Sequence, residues 1–194
     1  MNHNKPKSIF IRIALAVAAG LMVSAISVQA QGIVASATLS GTAAGGGNFD
    51  YTLTLSNAPT ASTSIEGFWY AWIPGFFFLP SVPSSASGGS SGWSATVFDN
   101  NSIQFQGNAG NAIAAGGSAT FSFVSTDTPA TLAGNNDGFP IGDSFAYPGT
   151  ITFTVNAADE EITVQSVPEP SSLSLLIVGS LGLLAAGLHR LRAL

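Results

Sequence analysis

Nine of the ten carboxylates in this 194-residue chain lie between Gln31 and Ser166, and no Lys, Arg or His shares that stretch with them. Carboxylates without cations can do two kinds of chemistry. A pair of them can hydrolyse a glycosidic bond, one as acid and the other as base or nucleophile. The candidates are Asp159-Glu160-Glu161 and Glu66. The first three fall in a short turn between two strand patterns, where acidic side chains ordinarily just face water. A Ser-His-Asp or Ser-Lys arrangement fails for want of parts, since each needs a base this stretch lacks. No catalytic residue is therefore assigned, and the chain is read as no enzyme.

Oxygen-rich loops can instead hold calcium, a hard cation that takes only oxygen ligands. The segment "NNDGFPIGD" offers Asn135, Asn136, Asp137 and Asp143, and "FDNNS" offers Asp99 and Asn100. Neither has EF-hand spacing, and Asn-Asp-Gly is also an ordinary turn tripeptide. A plain turn is the first reading. Calcium at Asn135, Asp137 and Asp143 is the second, and it is the one cofactor entertained.

A third chemistry is stacking. "EGFWYAWIPGFFFLPSVP" holds Trp69, Tyr70 and Trp72, and Trp93 follows in "GWSA". The plain reading makes these aromatics core. The sharper reading makes Trp69, Tyr70, Trp72 or Trp93 an exposed platform for sugar rings or for a partner's apolar patch.

These groups need a scaffold, and period-two alternation supplies it. Ile33, Ala35, Ala37 and Leu39 fall on one side of a strand, and Phe49, Tyr51, Leu53 and Leu55 on one side of the next. Trp93, Ala95 and Val97 lead through "DNNS" to Ile103 and Phe105, which reads as a hairpin. Ala119, Phe121 and Phe123 form another strand pattern; Ile151, Phe153 and Val155 predict one more, and Ile162 and Val164 close the series. In the aromatic stretch both faces are apolar, with Phe68, Tyr70 and Trp72 set against Trp69, Ala71 and Ile73. That predicts a central strand covered on both sides. Pro74, Pro80 and Pro83 then end it, and "SSASGGSSG" reads as a loop. The expected fold is an all-β antiparallel sandwich, Ig-like or jelly-roll-like, over residues 31–166. Ser and Thr occupy its solvent positions where Lys and Glu are usual, which leaves its sheet edges without their common guard.

Charge and cysteine narrow the function. The basic residues are confined to the ends, at Lys5, Lys7, Arg12, Arg190 and Arg192. A domain with carboxylates alone is expected to bind no nucleic acid and to be repelled by an anionic membrane surface. With no cysteine, disulfides, thiolate catalysis and Cys-zinc sites are absent.

The two ends read as addresses. Residues 1–30 carry a basic start, an apolar stretch from Ile13 to Val23 and the small-residue site Val28-Gln29-Ala30. That is a secretory signal peptide, with signal peptidase expected to cut between Ala30 and Gln31. At the other end, Leu173 to Leu188 is uncharged and apolar, about 24 Å long as a helix against a hydrocarbon core of about 30 Å. His189, Arg190 and Arg192 follow at once, so this helix (about 173–188) is expected to leave its C-terminus in the cytoplasm and hold the β domain outside. Pro168 and Pro170 keep Glu169 in an extended segment that cannot join a sheet.

Val167-Pro168-Glu169-Pro170, the Leu/Gly/Ala-rich run and the Arg-containing terminus together resemble the PEP-CTERM sorting signal of Gram-negative bacteria. The resemblance covers residues 167–194. It implies recognition of Pro168, Glu169 and Pro170 by exosortase, a membrane-embedded cysteine transpeptidase-like enzyme. It also implies delivery to the surface or matrix of cells that make exopolysaccharide. The middle is similar, through "GFWYAWIPG", "FLPS" and "GWSA", to a β domain that recurs among proteins with this tail, and no activity comes with that likeness. The expectation is an exported, non-enzymatic surface or biofilm-matrix protein, anchored as a precursor and then cut, in contact with extracellular polysaccharide. A carbohydrate-binding module and a carboxylate-dependent glycan hydrolase are the alternatives.

Overall fold

The computed structural model describes residues 32–89 and 92–167. The expected leader with its Ala30–Gln31 junction, the Pro168-Glu169-Pro170 motif and the apolar run at about 173–188 lie outside the described residues. Among the described residues no helix is long and apolar enough to cross a membrane.

In chain order the elements are β1 (Ala35–Gly45), β2 (Asn48–Asn57), β3 (Gly67–Tyr70), β4 (Trp72–Ile73), β5 (Phe76–Phe77), β6 (Ser85–Ser87), β7 (Ser94–Phe98), β8 (Ser102–Gln106) and β9 (Ser118–Ser125). A single helical turn, α1 (Pro129–Leu132), precedes β10 (Asn135–Asn136), β11 (Phe139–Pro140), β12 (Asp143–Tyr147), β13 (Glu160–Thr163) and β14 (Gln165–Ser166). Two five-stranded sheets form, ordered β14-β1-β2-β9-β6 and β13-β12-β3-β8-β7. Every pair in them is antiparallel except β1 with β14.

Alternation explains why the sheets face one another. Leu39 lies opposite Leu53, and Leu53 opposite Phe121, so one face of the first sheet is a continuous apolar row. Phe68 and Phe105 pair in the second sheet, and Phe105 stacks on Phe121 of the first with ring centroids 4.4 Å apart. Leu53, Leu55, Phe68, Tyr70, Ile103 and Phe105 share this core and are fully buried. The chain is thus an all-β antiparallel sandwich, with Ser36, Thr38, Ser40, Thr120 and Ser122 on its solvent side as their alternation requires. The Asp99-Asn100 turn joins β7 to β8 with both residues at positive φ, 47° and 65°, which is the hairpin geometry that Asn and Asp tolerate best.

Three expectations need correction. Ile151–Asn156 is not a strand. Residues 148–159 form an arch between β12 and β13 that lies over the outer face of the second sheet, and Ile151 and Val155 pack downward onto that face. The alternation is real, but it records which side chains turn toward the sheet rather than ladder bonding. Second, the Ser-rich stretch is not wholly loop, because Ser85–Ser87 adds an edge strand to β9. Third, Trp72 does not share a side with Phe68 and Tyr70. Ala71 adopts φ 58°, its N–H bonds to Ser144 Oγ at 3.1 Å, and the kink turns Trp72 to the side of Trp69. An alanine held in the left-handed region costs on the order of 1 kcal/mol. The burial of Trp72, with the 150–250 Å² that an aromatic side chain removes from water, outweighs that cost several-fold at about 25 cal/mol per Å².

Buried polar groups stitch the loops to the sheets. Asn57 is the clearest case: its Nδ2 donates to Thr63 O at 2.8 Å and Ile113 O at 3.1 Å, and its Oδ1 accepts from Val34 N at 3.3 Å. Asn57→Ala leaves the Val34 N–H and the Thr63 carbonyl without these partners, while the Ile113 carbonyl still accepts from the Ile65 N–H, so it should destabilise the domain by about 2 kcal/mol. The midpoint of urea unfolding, followed by tryptophan emission, checks this; an unchanged midpoint would refute the role.

Candidate functional site

The sites expected from sequence separate in space. Asp137 and Gly138 are the two central residues of the β10–β11 hairpin turn, with φ 50° and 88°. A two-residue turn with both φ values positive is the reason an Asp-Gly pair stands there. Asn135 is exposed on the same hairpin, and Asn136 donates to Phe78 O at 3.1 Å. Asp143 belongs to a different sheet, is buried, and accepts from Thr163 Oγ1 at 2.8 Å. Among the described residues no group of three or more acidic or imidazole side chains converges as a metal site. Asp159 accepts from the Asn156 N–H at 2.7 Å. Glu160 and Glu161 are neighbours on β13, so their side chains point to opposite faces and cannot flank one glycosidic bond.

Trp69, Tyr70, Trp72 and Trp93 are all buried, so the exposed-platform reading fails for them as they stand. Tyr70 and Trp93 belong to the core between the sheets, and Trp93 Nε1 donates to Asn111 O at 2.8 Å. Trp69 and Trp72 do not. They stack nearly parallel, centroids 4.0 Å apart and planes 5° off, on the outer face of the second sheet. Phe145 and Tyr147 of β12 complete this second cluster.

The outer face has an ordered polar surround. Reading across the sheet by register, Glu161 lies beside Phe145, Phe145 beside Trp69, Trp69 beside Gln104, and Gln104 beside Thr96. Directly opposed residues share a face, so a carboxylate, two aromatic rings, an amide and a hydroxyl stand in one row. The sequence could not show this row, because its members come from five strands.

The arch roofs the aromatic pair. Its first foot is fixed by side chains, and its second runs directly into β13: Gln106 Oε1 accepts from Ile151 N at 2.9 Å, Gln106 Nε2 donates to Gly149 O at 3.4 Å, and Tyr147 OH donates to Thr152 O at 3.2 Å. Gly67 is needed beneath it, since a Cβ there would come within 2.7 Å of Ile151 Cγ1 and 2.9 Å of Gly149 O. Phe153 is the keystone ring, edge-on to Trp69 at 5.1 Å, to Phe98 at 5.3 Å and to Trp72 at 6.3 Å. It nevertheless remains 60% exposed. Full burial of a Phe side chain is worth about 2–3 kcal/mol, so this partial seat holds with about 1 kcal/mol. In the same ring cluster, Trp72 Nε1 is buried and has no hydrogen-bond acceptor among the described residues.

Two other surfaces were not foreseen. An apolar cleft of about 490 Å³ opens between β1, β2 and α1, lined by Leu39, Phe49, Tyr51, Pro129, Ala130 and Val167 among others. Phe76 and Phe139, on the two small hairpins, are partly exposed with ring centroids 5.1 Å apart.

No family model matches the chain, and no curated protein does either. Similar solved structures include a GH20 exo-β-N-acetylglucosaminidase from Vibrio harveyi in complex with N-acetylglucosamine, at 18% identity and TM-score 0.40. The match covers 69% of this chain and 18% of that enzyme. An inactive mutant of the same enzyme matches at 17% identity and TM-score 0.38, over 69% of this chain and 18% of that one. The chitin-binding domain of Chi18aC from Streptomyces coelicolor matches at 17% identity and TM-score 0.32, over 46% of this chain and 77% of that domain. The chain thus spans about a fifth of the enzyme it matches, and likeness at these scores carries no functional argument.

The two tyrosines facing these layers are held protonated. Burial first, then the nearby Tyr51 and Asp127, raises the Tyr70 hydroxyl far above the ordinary phenol range. Burial first, then Asp159, does the same for Tyr147. A raised phenol pKa stabilises the fold below the unfolded value of about 10, and that contribution is lost as pH climbs above it. Tyrosinate absorbance on alkaline titration should therefore show Tyr70 and Tyr147 ionising only together with loss of folded circular dichroism. Their ionisation in a still-folded chain would contradict the burial argument.

Proposed function

We propose that this chain is an exported, non-enzymatic surface or matrix protein whose tail is read at Pro168-Glu169-Pro170 and cut by exosortase. The observation that carries the reading is the junction between domain and tail. Among the described residues the last backbone tie of the sandwich is Val167 N–H to Leu39 O at 2.8 Å, one residue before Pro168. Proline has no N–H to continue the ladder, so an enzyme gripping the motif need not unfold any strand.

The chemistry of the domain fits life outside the cell. It has no thiol to oxidise, and its solvent faces of Ser and Thr stay wet without charge pairs. Uniform negative charge keeps copies apart at low ionic strength. Two facing five-stranded sheets occur in both Ig-like and jelly-roll folds, and the reading needs neither in particular. Signal peptidase acts at the Ala30–Gln31 bond, and the run at 173–188 tethers the precursor until the cut.

Mass spectrometry of the mature protein from its producing cells tests this. The expected C-terminus lies at or next to Pro168-Glu169-Pro170, and Glu169→Ala should leave the tail attached through Leu194. A wild-type protein still ending at Leu194 would refute the sorting step.

A further inference from the structure

We propose that the outer face of the second sheet is a binding site for a neutral glycan, closed at rest by Phe153 standing in for a sugar ring. The inference goes beyond the sorting reading and does not depend on it, since it concerns a face that the tail's fate leaves unchanged.

Four observations converge on it. The seat occupied by Phe153 is ring-sized and already lined by rings, with Trp69, Trp72 and Phe98 around it. These rings stand 66–77° off the Phe153 plane, so a pyranose of the same footprint, turned against one of them, would lay its flat face of C–H bonds on an aromatic wall. Second, Trp72 Nε1 is a buried donor without an acceptor among the described residues. Buried donors are normally satisfied, and a sugar hydroxyl in the seat would supply the missing oxygen. Third, the row through Trp69 carries Glu161, Gln104 and Thr96, the carboxylate, amide and hydroxyl groups that fix hydroxyl-rich ligands around an apolar floor. Fourth, the domain has carboxylates and no cation from Gln31 to Ser166. Glu161 at the end of the row would repel a carboxylated or sulfated sugar, so the ligand is neutral.

The arch can admit it. Its feet are tied at Gly149, Ile151 and Thr152, and Asn156 bonds within the arch to Asp159. Among the described residues no hydrogen bond ties residues 153–155 to the sheet; the Thr154 carbonyl accepts only from Thr152 and Asn156 of the arch itself. Phe153 can therefore swing out while the feet hold, and the stacked tryptophans stay in place because both are buried among strand residues.

The test uses the full chain in mild detergent, with cellohexaose, chitohexaose, polygalacturonate and N-acetylphenylalanine amide as probes. Tryptophan emission and calorimetry are the readouts. Removing the stand-in ring with Phe153→Ala should tighten binding of at least one neutral hexaose about fivefold relative to the unmodified chain. Adding Trp72→Phe, which deletes the Nε1 donor, should weaken it about tenfold. Should that double variant fail to fold, Gln104→Ala in the same row is expected to weaken binding about fivefold. The proposal is overturned by silence of Phe153→Ala toward both hexaoses at millimolar concentration, or by equal affinities with and without the ring. Preferential binding of polygalacturonate, or a response only to N-acetylphenylalanine amide, would overturn it as well.

Discussion

A carboxylate in this domain has no cation to answer it, because no basic side chain occurs between Gln31 and Ser166. Ion pairing is therefore closed to the fold as a source of stability. Cohesion has to come from apolar area and from hydrogen bonds to neutral groups, and the structure bears the mark of both. Asp127 is the telling case. It is buried, yet its carboxylate is held by the Ser81 N–H and by the hydroxyls of Ser81 and Ser125. Hydroxyls and amides do for it what arginine does elsewhere.

The same constraint explains the unusual load on aromatic rings. A sandwich of this size ordinarily needs one core, and this one has two. The second exists because β3 and β12 are apolar on both faces: Phe68, Tyr70 and Ala146 point inward, and Trp69, Phe145 and Tyr147 point outward. An outer apolar face needs a cover, and the twelve residues between Tyr147 and Glu160 provide one without forming a strand. The arch is thus a consequence of double-sided burial, and the covered aromatic site follows from the arch.

Much of the sandwich was legible because period-two alternation and burial coincide in β1, β2, β8 and β9. The inward residues Leu39, Leu53, Phe105 and Phe121 are the ones the pattern names. The double-sided character of the Phe68–Trp72 stretch was legible for the same reason. Ile151, Phe153 and Val155 misled because alternation reports which side is covered and says nothing of hydrogen-bond partners. Trp72 misled because one left-handed residue, Ala71, shifts the phase of everything after it, and alanine gives no warning of that conformation. The row from Glu161 to Thr96 was out of reach altogether. Register between strands far apart in the chain is fixed by packing, and no local spacing encodes it.

The pairing of β14 with β1 runs parallel, unlike every other pair in the two large sheets. This has a mechanical meaning. Tension applied between the start of β1 and the end of β14 would drag the two strands lengthwise past one another. Their bonds would then share the load instead of peeling apart one at a time. The Thr38–Gln165 and Leu39–Ser166 contacts are few, but they stand where a pull from the tail would arrive, and under such a pull they would bear the load before the aromatic interior does.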